Sequence, residues 1–335
     1  MKHTWNVTIL LAVFFFATQV VGLLVINQYI DHKKTAEAHE VVPVDLAYGL
    51  ERPQIENKDY SWVMVSVAIL VGTLIVLLLI KLKTPFLMRI MYMFAIFFTL
   101  ALAFAAFVNE ILAAILALCI TIWRVYKPNL IVQNISELFI YGGLAAFFVG
   151  FFNVFSAIVL LIVISIYDYI SVFKTKHMVE MAKFQLDSKV FAGFHIPYSK
   201  EKILMKEPMR FLSKKENKSS KPVAPLAKET SVAVLGGGDI GFTLLFAGTV
   251  MQRLVLVEPT LSAFLKTLII PFLTTIALLI LLFKGQKNKF YPAMPVVTLG
   301  CFGGLIVVMF ISPEFAKDLL NSAYMMYSGI IGWFE

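Results

Sequence analysis

The chain has 335 residues, of which 59% are hydrophobic and only 15% charged, and its mean hydropathy is +0.83. A soluble domain carries roughly 25% charged residues, so this composition excludes an ordinary water-soluble globule. The formal net charge of +8 is concentrated in one internal segment, and it calls for no nucleic-acid partner.

The apolar residues fall into repeated blocks, most of them long enough to cross the ~30 Å hydrocarbon core as a helix. In chain order they run Trp5 to Tyr29, Tyr60 to Ile80, Phe86 to Phe107, Ile111 to Tyr126, Leu130 to Val149, Phe151 to Phe173, Ser231 to Val250, Leu261 to Phe283 and Phe290 to Ile311. The expectation is an all-α polytopic membrane protein with about nine transmembrane helices. The fourth run is short, and the fifth and sixth nearly touch at Val149 to Phe152, so eight or ten spans also fit. The first run is longer than a signal-peptide core and lacks a clear small-x-small cleavage site, so it reads as a retained anchor.

Charge orients these spans. With the N-terminus in the cytoplasm, 22 of the 29 Lys and Arg lie at the inner face, which by the positive-inside rule favours a cytoplasmic N-terminus and an external C-terminus in a cell membrane. Residues 1–150 then hold spans one to five, with an external acidic loop over 31–59, and residues 151–173 hold span six. Residues 174–230 form a cytoplasmic basic loop with 13 bases and 6 acids. Its Lys-, Ser- and Pro-rich part, Ser213 to Lys228, reads as a solvated linker beside anionic headgroups, and Phe191 to Leu212 as a short amphipathic surface helix. Residues 231–311 carry spans seven to nine, and 312–335 an external tail. No repeat of fixed period is visible, which weighs against a transporter built on inverted repeats.

The two cysteines, Cys119 and Cys301, lie inside apolar blocks, and the five histidines are scattered without ligand spacing. A disulfide framework and a zinc site are therefore not expected, and neither a metal nor another cofactor is called for.

Ionisable residues deep in a span are costly and mark function. Asp168 and Asp239 are the clearest, Glu137 is less deep, and Arg89, Glu110, Arg124, Glu258 and Lys266 lie near span ends. Counted along a helix at 1.5 Å per residue, Asp168 is ~9 Å from the inner end of span six and Asp239 ~12 Å from the inner start of span seven. Two carboxylates at one depth on antiparallel spans have the elements of aspartic peptide hydrolysis. One carboxylate acts as base on water while a protonated partner polarises the scissile carbonyl. Hydrogen bonding between helices, or a proton path, uses the same residues without chemistry.

Around Asp239 runs Leu235-Gly236-Gly237-Gly238-Asp239. Three glycines weaken a helix and admit close backbone approach, as an unwound substrate requires, although a packing notch between helices needs them equally. Upstream, Ser231-Val232-Ala233-Val234-Leu235 has the β-branched character of a strand edge, to which substrate can add as a further strand. Span nine opens with Tyr291-Pro292-Ala293-Met294-Pro295. Its prolines leave the inner end partly open, or simply mark a kinked helix start.

Tyr167-Asp168, Gly236-Gly237-Gly238-Asp239 as a Gly-x-Gly-Asp motif, and Pro292-Ala293-Met294 in place of Pro-Ala-Leu together resemble the presenilin and signal peptide peptidase family of intramembrane aspartyl proteases. The run Tyr167 to Lys183 resembles the presenilin-type version, and the resemblance covers roughly Phe151 to Ile311. It implies that Asp168 and Asp239 are the catalytic pair and that Tyr167, Gly236, Gly237 and Gly238 support them. Pro292, Ala293, Met294 and Pro295 would position substrate, as would Val232, Val234 and Leu235. The implied substrates are single-span transmembrane proteins with external N-termini, cleaved within the lipid bilayer, and accessory subunits stay undefined. Two alternatives use the same carboxylates: a prepilin or preflagellin peptidase, and a proton-coupled transporter. A scaffold without chemistry predicts that neither aspartate matters beyond stability.

Overall fold

The computed structural model describes residues 5–52, 58–82, 84–175, 192–198, 231–285 and 291–331. The described chain is helical apart from one two-stranded sheet and short connecting bridges and turns. Its helices are α1 (Trp5–Gln28), α2 (His32–Ala38), α3 (Ser61–Lys81), α4 (Pro85–Ala105), α5 (Glu110–Tyr126), α6 (Leu130–Phe148) and α7 (Val154–Ile170). After β1 (Gly193–Tyr198) and β2 (Ser231–Gly236) come α8 (Gly237–Leu254), α9 (Thr260–Thr267), α10 (Ile269–Lys284), α11 (Met294–Ile311) and α12 (Pro313–Ile331).

Seven helical segments among the described residues are long and apolar enough to cross a membrane. The two remaining expected spans correspond to α5, which has 17 residues, and to α8, whose sequence carries Asp239 and Arg253. Polar caps cut the apolar sequence into helices. Asn109 and Asn129 accept the Ile111 and Ile131 amides at the starts of α5 and α6, at 2.8 and 2.9 Å. Asn153 forms a reciprocal capping box with Ser156. That box, preceded by a tight turn over Val149–Phe151, separates the fifth and sixth spans that nearly merge in sequence.

Helix α8 is the hub. It packs against α1, α6, α7, α9, α10 and α11, and the run Thr243 to Met251 is buried on every face. By contrast α3 exposes Val63, Met64, Val67, Leu70, Val71, Leu74 and Leu78, an apolar surface suited to the hydrocarbon of a bilayer. Helices α10 and α11 form a close hairpin. A Cβ on Gly300 or Gly304 would stand 2.6 Å from the Thr274 or Ile270 Cα, so these two glycines, one turn apart, allow the backbones to touch. Residues 313–331, expected only as a tail, form α12. It is tied back to α8 by Arg253, which donates to Asp318 at 2.5 and 2.8 Å.

The sheet is antiparallel, with Gly193 opposite Gly236 and Tyr198 opposite Ser231. Thus Ser231 to Leu235 is a strand, as its β-branched residues indicate. The stretch read as a surface helix from Phe191 to Leu212 is instead a strand over Gly193–Tyr198, because its backbone groups find partners in β2. The rest of that stretch, and Ser213 to Lys228, lie outside the described residues.

Candidate active site

Asp168 sits in the last full turn of α7 and is only 6% exposed. The helix continues past it as a π-helical turn over Ser171–Thr175, and the Ser171 hydroxyl donates to the Asp168 carbonyl at 3.0 Å. Such wide turns leave backbone groups less tightly paired and recur at functional sites. A second tie from α7, between Ser165 and Thr298 at 2.8 Å, fixes it against α11.

The start of α11 comes to Asp168. The Met294 N–H donates to Asp168 Oδ2 at 3.1 Å. Helix α11 has no capping side chain of its own at Ala293, so a carboxylate from another helix satisfies its first amide, at Met294, where the helix dipole favours negative charge. Pro295 falls in the first turn of α11, where its missing N–H costs nothing. Pro292 and Ala293 lead into that turn, and the Met294 side chain is buried.

Asp239 lies in the first turn of α8, directly after β2. Its depth therefore cannot be counted as a helix from Ser231, because residues 231–236 are extended at ~3.3 Å per residue. Asp239 is half-buried, and its helix packs directly against α7, which carries Asp168. The backbone behind it is fixed by the Thr243 hydroxyl, which donates to the Asp239 carbonyl at 2.8 Å. Gln19 of α1 donates to the Ile240 carbonyl at 3.0 Å and to Thr243 at 2.9 Å.

The three glycines are not equivalent. A Cβ at Gly236 would lie 3.4 Å from Asp239 Oδ2, and one at Gly238 would meet nothing closer than 3.9 Å. At Gly237 it would stand 2.5 Å from the Tyr141 hydroxyl and 3.1 Å from its ring. The middle glycine is thus the crowded one, through a tyrosine of α6. Tyr167 is half-buried beside Asp168 in sequence. In β2, Leu235 is 3% exposed while Val234 is 37% exposed, so the strand buries one face and presents the other. The Val232 backbone lies in the same strand, opposite Pro197.

On the polar face of α6 the sequence singles out only Glu137, and Asn134 and Tyr141 are missed. Asn134 exchanges two hydrogen bonds with the His195 backbone in β1, at 2.9 and 3.1 Å. One turn on, Glu137 is paired with Arg124 of α5, with the side chains 0% and 3% exposed. Tyr141 follows, against Gly237. The signal available was the hydropathy of the segment carrying α6, the lowest of the seven apolar segments.

This arrangement has relatives of known fold. Two solved structures described as a presenilin family intramembrane aspartate protease, in C222 and P2 space groups, are 18% identical to this chain. They match 89% and 90% of it and 94% and 96% of their own chains, with TM-scores of 0.54 and 0.55. No curated protein matches the sequence. Residues 45–313 match the family described as signal-peptide peptidase, presenilin aspartyl protease. With well over half its length inside that family, and with the fold of a presenilin-type membrane protease, the chain belongs to the signal-peptide peptidase and presenilin family of aspartyl proteases.

Proposed function

We propose that the protein is an intramembrane aspartyl endopeptidase of the Gly-x-Gly-Asp type, hydrolysing peptide bonds of transmembrane helices with Asp168 and Asp239 as its catalytic pair. The observation that carries this reading is that α7 and α8 pack against each other, with Asp168 in the last turn of one and Asp239 in the first turn of the other. One carboxylate takes a proton from water as it attacks the scissile carbonyl. The protonated partner donates to the carbonyl oxygen, and the diol collapses as a proton passes to the leaving amine. No nucleophilic side chain and no metal enters the sequence of steps.

The hydrogen bond from Met294 to one oxygen of Asp168 supports the reading further, because it holds that carboxylate in one orientation. A substrate helix must unwind to expose a peptide bond, and the extended β2 strand leading directly into Asp239 supplies an edge for the unwound segment. The charge distribution supports a cytoplasmic N-terminus and an external C-terminus, hence single-span substrates with external N-termini.

The test is cleavage of a tagged single-span substrate by purified protein in liposomes, with Asp168→Asn and Asp239→Asn alongside. Cleavage by the wild type and by neither variant is expected. Cleavage that persists in both folded variants overturns the assignment. Flux of a solute without cleavage, lost in either variant, points instead to a proton-coupled transporter.

A further inference from the structure

Strand β1 has two edges, and only one of them is taken by β2. In the register His195 stands opposite Val234. Both main-chain groups of His195 nevertheless bond to α6: the N–H donates to Asn134 Oδ1 at 3.1 Å, and the carbonyl accepts from Asn134 Nδ2 at 2.9 Å. A residue whose N–H and C=O both point away from the neighbouring strand occupies a non-hydrogen-bonded position of an antiparallel ladder. Strict alternation then makes Phe194 and Ile196 the residues that bond to Leu235 and Ala233. By the same alternation the N–H and C=O of Val232 and Val234 point to the far side of β2, away from β1.

The Asn134 carboxamide thus imitates one residue of a third strand. Gln133 adds a contact from its Nε2 to His195 Nδ1 at 2.9 Å. The same face of α6 carries Glu137, held by Arg124, and Tyr141, which abuts Gly237. Spacings of three and four residues stack these side chains along one stripe of a helix. One rigid element therefore touches β1 at one end and the glycine turn before Asp239 at the other.

We propose that Asn134 is a positioning residue: by occupying the outer edge of β1 at His195 it locks the register of the β1–β2 pair and so sets which substrate bond lies opposite the aspartates. The proposal rests on the proteolytic reading above. It assigns to span five a role in choosing the cleavage position, through the strand pair and without touching the reacting atoms. Without the carboxamide, two buried main-chain groups lose their partner, and β1 is free to slip. A one-residue slip exchanges the faces of a strand.

The experiment compares the wild-type full chain with Asn134→Leu, Asn134→Asp and Gln133→Ala on one tagged single-span substrate, reading product masses, KM and kcat. Backbone hydrogen exchange of the segment 192–198 is measured in parallel. Asn134→Leu is expected to spread cleavage over neighbouring bonds, to raise KM about tenfold and to speed exchange in β1, with kcat changing less. Asn134→Asp keeps an acceptor for the His195 N–H but sets an oxygen against its carbonyl, so it falls between wild type and Asn134→Leu. It decides the matter if Asn134→Leu does not fold. Gln133→Ala, which spares both main-chain bonds, leaves the cleavage position unchanged. Folded Asn134 variants with wild-type products and KM overturn the proposal, even if they are less stable. A wild type that cleaves nothing overturns the protease reading itself, an outcome distinct from a cleaving wild type indifferent to Asn134.

Discussion

The Met294 amide donates to Asp168 Oδ2 at 3.1 Å, joining the end of α7 to the start of α11. A candidate catalytic carboxylate therefore doubles as the cap of a helix that has no cap of its own. The two roles separate by substitution. Asn at 168 retains an oxygen for the Met294 amide and loses the titratable group, whereas Ala loses both. Activity should fall a hundredfold or more in each, on the order of a general acid–base contribution. Asp168→Ala should in addition lose about 1 kcal/mol of stability, the worth of an N-cap. Thermal unfolding beside the cleavage assay checks this, and equal stability of the two variants contradicts the capping role.

Crowding at Gly237 orders the three glycines. Gly237→Ala drives a methyl into the Tyr141 hydroxyl, while Gly238→Ala meets no atom closer than 3.9 Å. Overpacking of this kind costs about 1–3 kcal/mol, and here the displaced segment leads straight into Asp239. Gly237→Ala should lose most activity, Gly238→Ala much less by packing alone, and Tyr141→Phe should recover part of the loss in Gly237→Ala by removing the hydroxyl. A loss unchanged by Tyr141→Phe would place the defect in the turn itself.

Beyond the spans, Glu258 should be one source of acid sensitivity. Burial disfavours its charge, but hydrogen bonds from Lys266 at 2.5 Å and Ser262 at 2.6 Å, together with the Lys266 charge, hold its carboxyl below the ordinary 4.5. Ser312, at the junction of α11 and α12, donates to the same carboxylate. A group whose value is depressed on folding stabilises the protein above its unfolded value, and that stability is lost as pH falls through the folded one. The wild-type melting temperature should therefore drop on acidification below about 4.5, while Glu258→Gln should be less stable at pH 7 and lose less on acidification. Parallel acid profiles would remove Glu258 from the account.

The chain's layout is legible where physics is local. Apolar runs locate α1, α3, α4, α6 and α7 because hydrocarbon demands length and composition, and the β-branched run before Gly236 announces β2. The partner strand is illegible, because Gly193 to Tyr198 lies in a basic segment whose extended form is set by pairing with β2. Likewise the sequence singles out Glu137 of span five without a partner and gives no sign of Asn134 or Tyr141, until packing sets the three against Arg124, His195 and Gly237. Their partners come from other elements, and a single chain read in order does not align them.

The Arg124–Glu137 pair is the most enclosed charge interaction among the described residues, and its surroundings define how it should respond to mutation. Arg124 also donates to the Tyr92 hydroxyl at 2.8 and 3.2 Å, to Ser136 at 2.5 Å and to the Gln133 carbonyl at 3.3 Å, so with Glu137 its guanidinium is saturated by groups of α4 and α6. Removing one member of a buried pair leaves the other charge desolvated and costs about 3–5 kcal/mol, whereas replacing both by apolar groups of similar volume is often nearly neutral. Arg124→Met and Glu137→Leu should each destabilise strongly, and the double variant should be more stable than either. A thermal double-mutant cycle measures the coupling. Because Tyr141 and Asn134 flank Glu137 on the same helix face, the double variant also separates fold from function. If it unfolds like wild type yet cleaves poorly, the charge pair serves to aim α6 at β1 and Gly237; if it cleaves normally, the pair serves stability alone.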